Sequence, residues 1–321
     1  MEGGLKAPVR HALDYEDPDF HDPEKLDAEL RRVFDICHGC RRCFNLCDSF
    51  PRLFDLIDES DSGELDTVAS ADFKPVIDAC TLCDMCFMVR CPYVPPHEFD
   101  LDFPHLVLRA RSAALAKGGV GFADRQLTKT DRNGKLAGAL SPLANWATDT
   151  RNGLTRPVLE TVAGVHRDAA IPKFHRKTFA KHAKSAAPEI NPAAPAFGRK
   201  AVIFATCFVN YNNPAIGTAA SHVLALNGVA TEVVYSGCCG MPQLEHGDYA
   251  DGAARARRTA AELGDWIDQG YDIIAPIPSC ALMFKFEWPL IVADGLEPLA
   301  GSIVVHLACH ARAQNMGPKA V

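Results

Sequence analysis

Eight of the thirteen cysteines fall into two tight runs. The first is Cys37-His38-Gly39-Cys40-Arg41-Arg42-Cys43-Phe44-Asn45-Leu46-Cys47. The second is Cys80-Thr81-Leu82-Cys83-Asp84-Met85-Cys86-Phe87-Met88-Val89-Arg90-Cys91, with Pro92 directly after it. Three thiolates separated by two-residue gaps can wrap one set of irons on a single loop, while a fourth, a few residues later, points away from that loop. In iron–sulfur ligation of this spacing, the fourth cysteine of each run serves the other run's cluster. The expected ligand sets are therefore Cys37, Cys40, Cys43 and Cys91 for one [4Fe-4S] cluster, and Cys80, Cys83, Cys86 and Cys47 for the other. Zinc is the competing reading. A structural zinc site needs four ligands, commonly two paired knuckles, so the third and fourth cysteines of each run would be surplus. Disulfides would require an oxidising compartment, and Met1-Glu2-Gly3-Gly4-Leu5-Lys6 lacks the apolar core of a signal peptide.

The spacing is that of two-cluster ferredoxins, with two departures. Asp48 stands where proline usually follows the first run, and four residues rather than three separate Cys86 from Cys91. The extra residue implies a local bulge.

The elements that must carry these loops read as helices. Asp22-Pro23-Glu24 supplies a cap, a first-turn proline and an acidic first turn, and Leu26, Leu30, Val33 and Phe34 recur at helical spacing up to Cys37. A short helix near residues 75–79 leads into Cys80, Pro92, Pro95 and Pro96 close the second run, and residues 103–116 read as helix. No strand pattern lies between the runs, so an all-α ferredoxin-like module over residues 23–116 follows an extended arm at 1–22. Residues 117–198 are broken by Gly118-Gly119, Asn133-Gly134 and Asn152-Gly153 and end in an Ala/Pro-rich linker near 186–195. His166, His175 and His182 lie there without a carboxylate partner and read as surface histidines.

From residue 199 the pattern becomes strand, helix, strand, helix: strands near 201–206, 230–235, 271–277 and 302–307, and helices near 214–226 and 248–266. Such alternation predicts a mainly parallel α/β sheet. Cys207, the Cys238-Cys239 pair, Cys280 and Cys309 each follow a predicted strand. The carboxyl edge of an open sheet is where ligands bind, so these cysteines point to one convergent thiolate site. Cys207…Cys238-Cys239-Gly240-Met241-Pro242…Ser279-Cys280 resembles the CCG cysteine-rich domain. That domain occurs in the B subunit of heterodisulfide reductase, in the C subunit of anaerobic glycerol-3-phosphate dehydrogenase and in the glycolate oxidase iron–sulfur subunit. A pair of ferredoxin runs fused to CCG repeats is the arrangement found in the glycerol-3-phosphate dehydrogenase member. The resemblance implies a metal site at Cys207, Cys238, Cys239 and Cys280, with Gly240 beside it as Pro92 stands beside the ferredoxin-type site. The stretch 306–315 resembles the opening of a second repeat, bearing Cys309. In the full motif a Cys-x-x-Cys pair closes the site; here position 283 is Met283. Val321 comes twelve residues after Cys309, so the sequence reads as a fragment.

Charge divides the chain. The balance is -12 over residues 1–110, +10 over 111–200 and -5 over the remainder. The basic middle suits an anionic membrane surface or, as the plainer reading, a complement to the acidic first module in cis. No aromatic–basic stacking motif accompanies it, so nucleic acid is not expected. No apolar run approaches the roughly 20 residues of a membrane helix. No Gly-x-Gly-x-x-Gly follows the first strand, where Cys207 stands instead, so flavin or NAD chemistry would belong to a partner subunit. The expected function is an electron-transfer subunit of a cytoplasmic oxidoreductase complex, peripheral at the inner membrane face, passing electrons between two clusters and a CCG centre. The rivals are catalysis at the CCG site on a disulfide or a quinone, and a redox sensor with structural clusters.

Overall fold

The computed structural model describes residues 8–119 and 121–292. Helix α1 (Pro23–Cys40) starts where its cap predicts: the Asp22 carboxylate accepts hydrogen bonds from the Glu24 and Lys25 amides at 3.0 and 2.9 Å. Its buried face is the predicted one, Leu26, Leu30, Val33 and Phe34. Helix α2 (Ser49–Asp58) buries Phe50, Leu53, Phe54 and Ile57. Helix α3 (Lys74–Ala79) delivers the chain to Cys80, and α4 (Phe103–Ala116) packs back on α1. Phe34 meets Phe73 edge-on at 5.1 Å and Phe103 at 5.9 Å. Each aromatic ring removed from water contributes about 1.5–3 kcal/mol. Among the described residues, this part of the chain is helical and turn, without strand.

The middle of the chain folds into five short helices: α5 (Phe122–Leu127), α6 (Thr130–Ala139), α7 (Ser141–Thr148), α8 (Thr155–Ala163) and α9 (Phe179–Ser185). They bury little. Phe122 and Leu154 are 77% and 79% exposed, and Leu136, Leu143, Trp146 and Val158 also face outward. The ion pairs Arg151–Asp149 and Arg167–Glu160 stay within the segment, and Asp131 reaches Arg255. His166 and His175 are exposed and His182 half-buried.

The last part is a three-stranded parallel sheet of order β2-β1-β3, with β1 (Lys200–Phe204), β2 (Ala230–Val234) and β3 (Asp272–Ile274). Ile203 of β1 registers with Val233 on one side and Ile274 on the other. Strand β3 is shorter than its apolar run because Pro276 and Pro278 lack the amide a ladder needs. Helices α10 (Pro214–Leu226), α11 (Met241–Glu245), α12 (Tyr249–Asp268), α13 (Pro278–Leu282) and α14 (Trp288–Ile291) complete it. The predicted fourth strand near 302–307 lies outside the described residues. The α plus parallel α/β class expected from the sequence is what the chain forms.

One apolar core joins the two parts: Leu26 and Phe34 belong to the same cluster of buried side chains as Phe204, Leu263 and Trp288. Residues 8–22 lie along the junction, where the Leu13 amide donates to the Leu290 carbonyl at 2.8 Å. Arg10 is buried there and pairs with Asp84, Asp102 and Glu287 at 2.8, 2.9 and 3.1 Å.

Candidate metal centres

Cys37, Cys40, Cys43 and Cys91 line one cavity, Cys47, Cys80 and Cys83 neighbour one another, and Cys86 lies between the two groups. Cys37 and Cys40 sit in the last turns of α1, and Cys43 in the turn that follows. Cys91 and Pro92 return from the second run to line the same cavity, together with Phe50, Phe54 and Tyr93. Burial pushes the Cys37 thiol up, and the nearby Cys91, Cys43 and Cys40 push it the same way. Burial drives Cys43 up to about 12, again with Cys91 among its neighbours. Cys47 leaves its own run and feels Cys83. Cys80, raised to about 11 by burial, feels both Cys47 and Cys83. Cys86 is pushed up by burial and then by Cys43 and Cys80, which places it against both groups.

Local backbone explains these positions. The extra residue of the second run is absorbed by a π-helical turn, Cys86–Arg90, in which the Cys91 amide donates to the Cys86 carbonyl at 2.7 Å. Leu82 and Asp84, on either side of Cys83, adopt left-handed backbone at φ 52° and 59°. Such residues cost roughly 1–2 kcal/mol each without glycine, so packing must hold them. Asp84 is held by the Arg10 guanidinium through two hydrogen bonds of 2.8 Å.

The rim of the sheet carries the second site. Cys207 follows β1 and opens a π-helical turn, Phe208–Asn212. Cys238 and Cys239 lie between β2 and α11, and Cys280 is in α13. The four thiols form a continuous chain. Cys238 is pulled down because the Cys207 and Cys239 thiols hydrogen-bond to it, with the Gly240 amide adding to the effect. Cys239 is pushed up by its bonds to Cys238 and Cys280. Gly240 has φ 96°, and a side chain there would meet the Gly252 backbone at 3.4 Å and the Met283 methyl at 3.7 Å. The left-handed backbone, rather than the space, is what favours glycine here. Met283 is fully buried beside it. The indole Nε1 of Trp288 donates to the Cys239 carbonyl at 3.0 Å and fixes that residue's backbone. Cys309 lies outside the described residues.

Sequence reasoning missed the residues that tie these sites together. Arg111 of α4 donates to the Cys80 and Ile77 carbonyls at 2.6 and 2.9 Å and to the Glu245 carbonyl of α11 at 3.0 Å. Thr130 and Asp131, at the start of α6, reach the rim from a segment that carried no motif, Thr130 at the Cys207 and Cys238 thiols and Asp131 at the Cys238 amide. Trp288 had a visible signal, a large aromatic close after Cys280, but no spacing rule pointed to it.

The donor set fits iron–sulfur ligation. Soft thiols gather in buried pockets, and burial pushes up Cys37, Cys43, Cys47, Cys80, Cys86 and Cys91, so a cationic centre is what would keep these ionised. Backbone amides aim at the sulfurs: Ser49 and Phe50 at Cys47, Leu82 at Cys80, and Tyr93 at Cys91 with 3.4 Å. The Thr130 hydroxyl at the rim is sealed from solvent and makes no well-angled hydrogen bond. Among the described residues, no three His, Cys, Asp or Glu side chains stand close enough to hold one metal ion.

Residues 201–285 match the CCG cysteine-rich domain family, so the resemblance carried by Cys207, Cys238-Cys239-Gly240 and Cys280 is borne out. Over 169 residues, 52% of its length, the chain is 25% identical to the C subunit of anaerobic glycerol-3-phosphate dehydrogenase from Escherichia coli (strain K12), and equally to that from Escherichia coli O157:H7. The match spans 41% of the length of these relatives. No solved structure matches.

Proposed function

We propose that the chain is an iron–sulfur electron-transfer subunit of an oxidoreductase complex. The observation that carries this reading is the sorting of the two cysteine runs. Cys91 joins Cys37, Cys40 and Cys43 around one cavity, and Cys47 crosses to Cys80 and Cys83. The first set would hold one [4Fe-4S] cluster; Cys80, Cys83, Cys86 and Cys47 would hold the other. Cys207, Cys238, Cys239 and Cys280 would hold a third centre. When bound, such centres supply one-electron carriers whose potential follows burial and hydrogen bonding.

The chain's own residues supply alignment. Arg10 and Arg111 each fasten the second cysteine loop to the CCG domain, one through Asp84 and Glu287, the other through the Cys80 and Glu245 carbonyls. The second ferredoxin-type group is thereby the one held against the CCG domain. Similarity to part of a dehydrogenase supports a place among other oxidoreductase subunits, a flavoprotein or redox carrier supplying the chemistry this chain lacks.

Anaerobic reconstitution with iron and sulfide tests the assignment. About eight irons per chain are expected from the ferredoxin-type module alone, the content of two four-iron clusters, and fewer would sink the two-cluster reading. Low-temperature EPR should then count the centres. Catalysis at the rim is the second reading, favoured by the unbroken chain of four thiols. Loss of turnover in Cys239→Ser with both ferredoxin-type signals intact would select it.

The outward-facing Phe122, Leu143, Trp146 and Leu154 lie in a segment whose charge balance is +10 over residues 111–200. That combination supports peripheral contact with the anionic cytoplasmic membrane face, each basic residue near such a surface adding about 1 kcal/mol. Among the described residues, no helix is long and apolar enough to cross a membrane. Co-sedimentation with phosphatidylglycerol vesicles, but not with phosphatidylcholine vesicles, is the expected result.

A further inference from the structure

We propose that residues Thr128–Asp131 form a strap that closes the four-thiol rim, with Asp131 as its positioning residue and the Thr130 hydroxyl as a polar partner of the centre. The hydroxyl's role rests on the rim being a metal site, while the strap itself lies outside the CCG family match, which covers 201–285.

Asp131 is the fastening. Its Oδ2 accepts from the Cys238 amide at 3.2 Å and pairs with the Arg255 guanidinium at 2.9 Å, while its Oδ1 accepts from the Tyr235 hydroxyl. One carboxylate thus joins α6 to the end of β2, to the cysteine loop and to α12. Arg255 is itself steadied by Asp251 at 3.0 Å. A second tie lies one turn earlier, where Gln243 of α11 donates to the Thr128 carbonyl at 2.9 Å. Further along α6, Gly134 lies flat on the Tyr211 ring; a side chain there would come within 2.3 Å of it. Tyr211 belongs to the π-helical turn that Cys207 opens. The strap is therefore anchored on three sides of the thiols.

Thr130 lies between these anchors. Its hydroxyl is buried and finds no oxygen or nitrogen partner. The sulfurs of Cys207 and Cys238 are the groups it faces. Sulfur is a weak acceptor, so a buried hydroxyl aimed at these two sulfurs fits a role toward what the thiols hold. Met283 stands where the resemblance expects a fifth thiol, and a thioether is a weak acceptor with no proton to give. Thr130 brings a donor to a site from which one sulfur ligand is missing.

The test is peptide-resolved alkylation of the full chain by iodoacetamide, under anaerobic native conditions, before and after iron removal by chelation. In Asp131→Ala, labelling of Cys207 and Cys238 should rise about tenfold over the parent, equivalent to about 1.4 kcal/mol of closing free energy. Cys47 and Cys80 should stay at the parent rate. Gln243→Ala, which cuts only the second tie, should give a smaller rise at the same two cysteines. Unchanged rim labelling in Asp131→Ala would overturn the strap. So would an equal rise at all cysteines, which would mean general loosening. In the iron-loaded chain, Thr130→Val should shift the midpoint potential of the rim centre to more negative values, and Thr130→Ser should restore it. An unmoved potential in Thr130→Val would remove the hydroxyl's role while leaving the strap standing. If no iron is found at the rim, the metal reading fails, and the alkylation result on the chelated chain still decides the strap.

Discussion

The two halves of this molecule gather cysteines by opposite means. In the first, Cys37, Cys40 and Cys43 come from one helix end and its following turn, and sequence spacing nearly sets their geometry. In the second, Cys207, Cys238, Cys239 and Cys280 come from three connections of a parallel sheet, and only tertiary packing brings them together. The first site carries its structure in its own loop; the second borrows it from distant residues such as Trp288 and Asp131. Perturbations at Trp288 or Asp131 should therefore fall on the rim and spare Cys37, Cys40 and Cys43.

The largest expected effect breaks the junction itself. Arg10→Ala removes the guanidinium that pairs with Asp84, Asp102 and Glu287 in this buried network, a loss of about 3–5 kcal/mol. Chemical denaturation should show it, as one lowered transition if the halves unfold together. Trp288→Ala should cost a similar ~3–5 kcal/mol, the range for truncating a buried aromatic. It should also raise alkylation at Cys239 while leaving Cys37 and Cys43 unchanged. Equal reactivity gains in both halves would contradict the contrast between them. Gly240→Ala places a side chain at φ 96° against the Gly252 backbone. The left-handed backbone alone costs about 1–2 kcal/mol, read as a drop in the denaturation midpoint.

A smaller effect concerns pH. His105 is buried between the halves, 3.4 Å from Asp102 and 3.3 Å from Glu287, with Arg10 also facing it. Burial alone would lower its pKa, but Asp102 and the hydrogen bond to Glu287 raise it above the ordinary 6.5. A group raised on folding stabilises the fold below its unfolded value, and that contribution fades as pH climbs through the folded value. Stability should thus decline from about pH 6.5 upward, and His105→Gln should remove this part of the decline. The smallest effect belongs to the exposed Arg41–Asp58 pair beside the first run. Arg41→Gln should change stability by less than about 1 kcal/mol.

The sequence disclosed what depends on local pattern. The cap at Asp22, the apolar stripe ending at Phe34 and the apolar runs of β1 and β2 follow from short-range rules. So does the placement of Cys207, Cys238 and Cys280 past strand ends, because a parallel sheet fixes which end of each strand is the rim. What escaped depends on contacts between distant segments. Asp131 meets Cys238 across 107 positions, and no periodicity encodes that. Arg10 lies in a polar, proline-bearing stretch that reads as an extended arm, yet three acidic residues from two halves surround its guanidinium. Helices α5–α8 resisted reading because they bury few side chains, so apolar spacing had no core face to report.

Arg111 gives the two halves a shared fate. Its single guanidinium holds the Cys80 carbonyl on one side and the Glu245 carbonyl on the other. Anything that unravels the Cys80 loop releases the same hand from the CCG domain. Injury at one end becomes looseness at the other. A cell that degrades loosened chains would then clear both halves together rather than keep one of them.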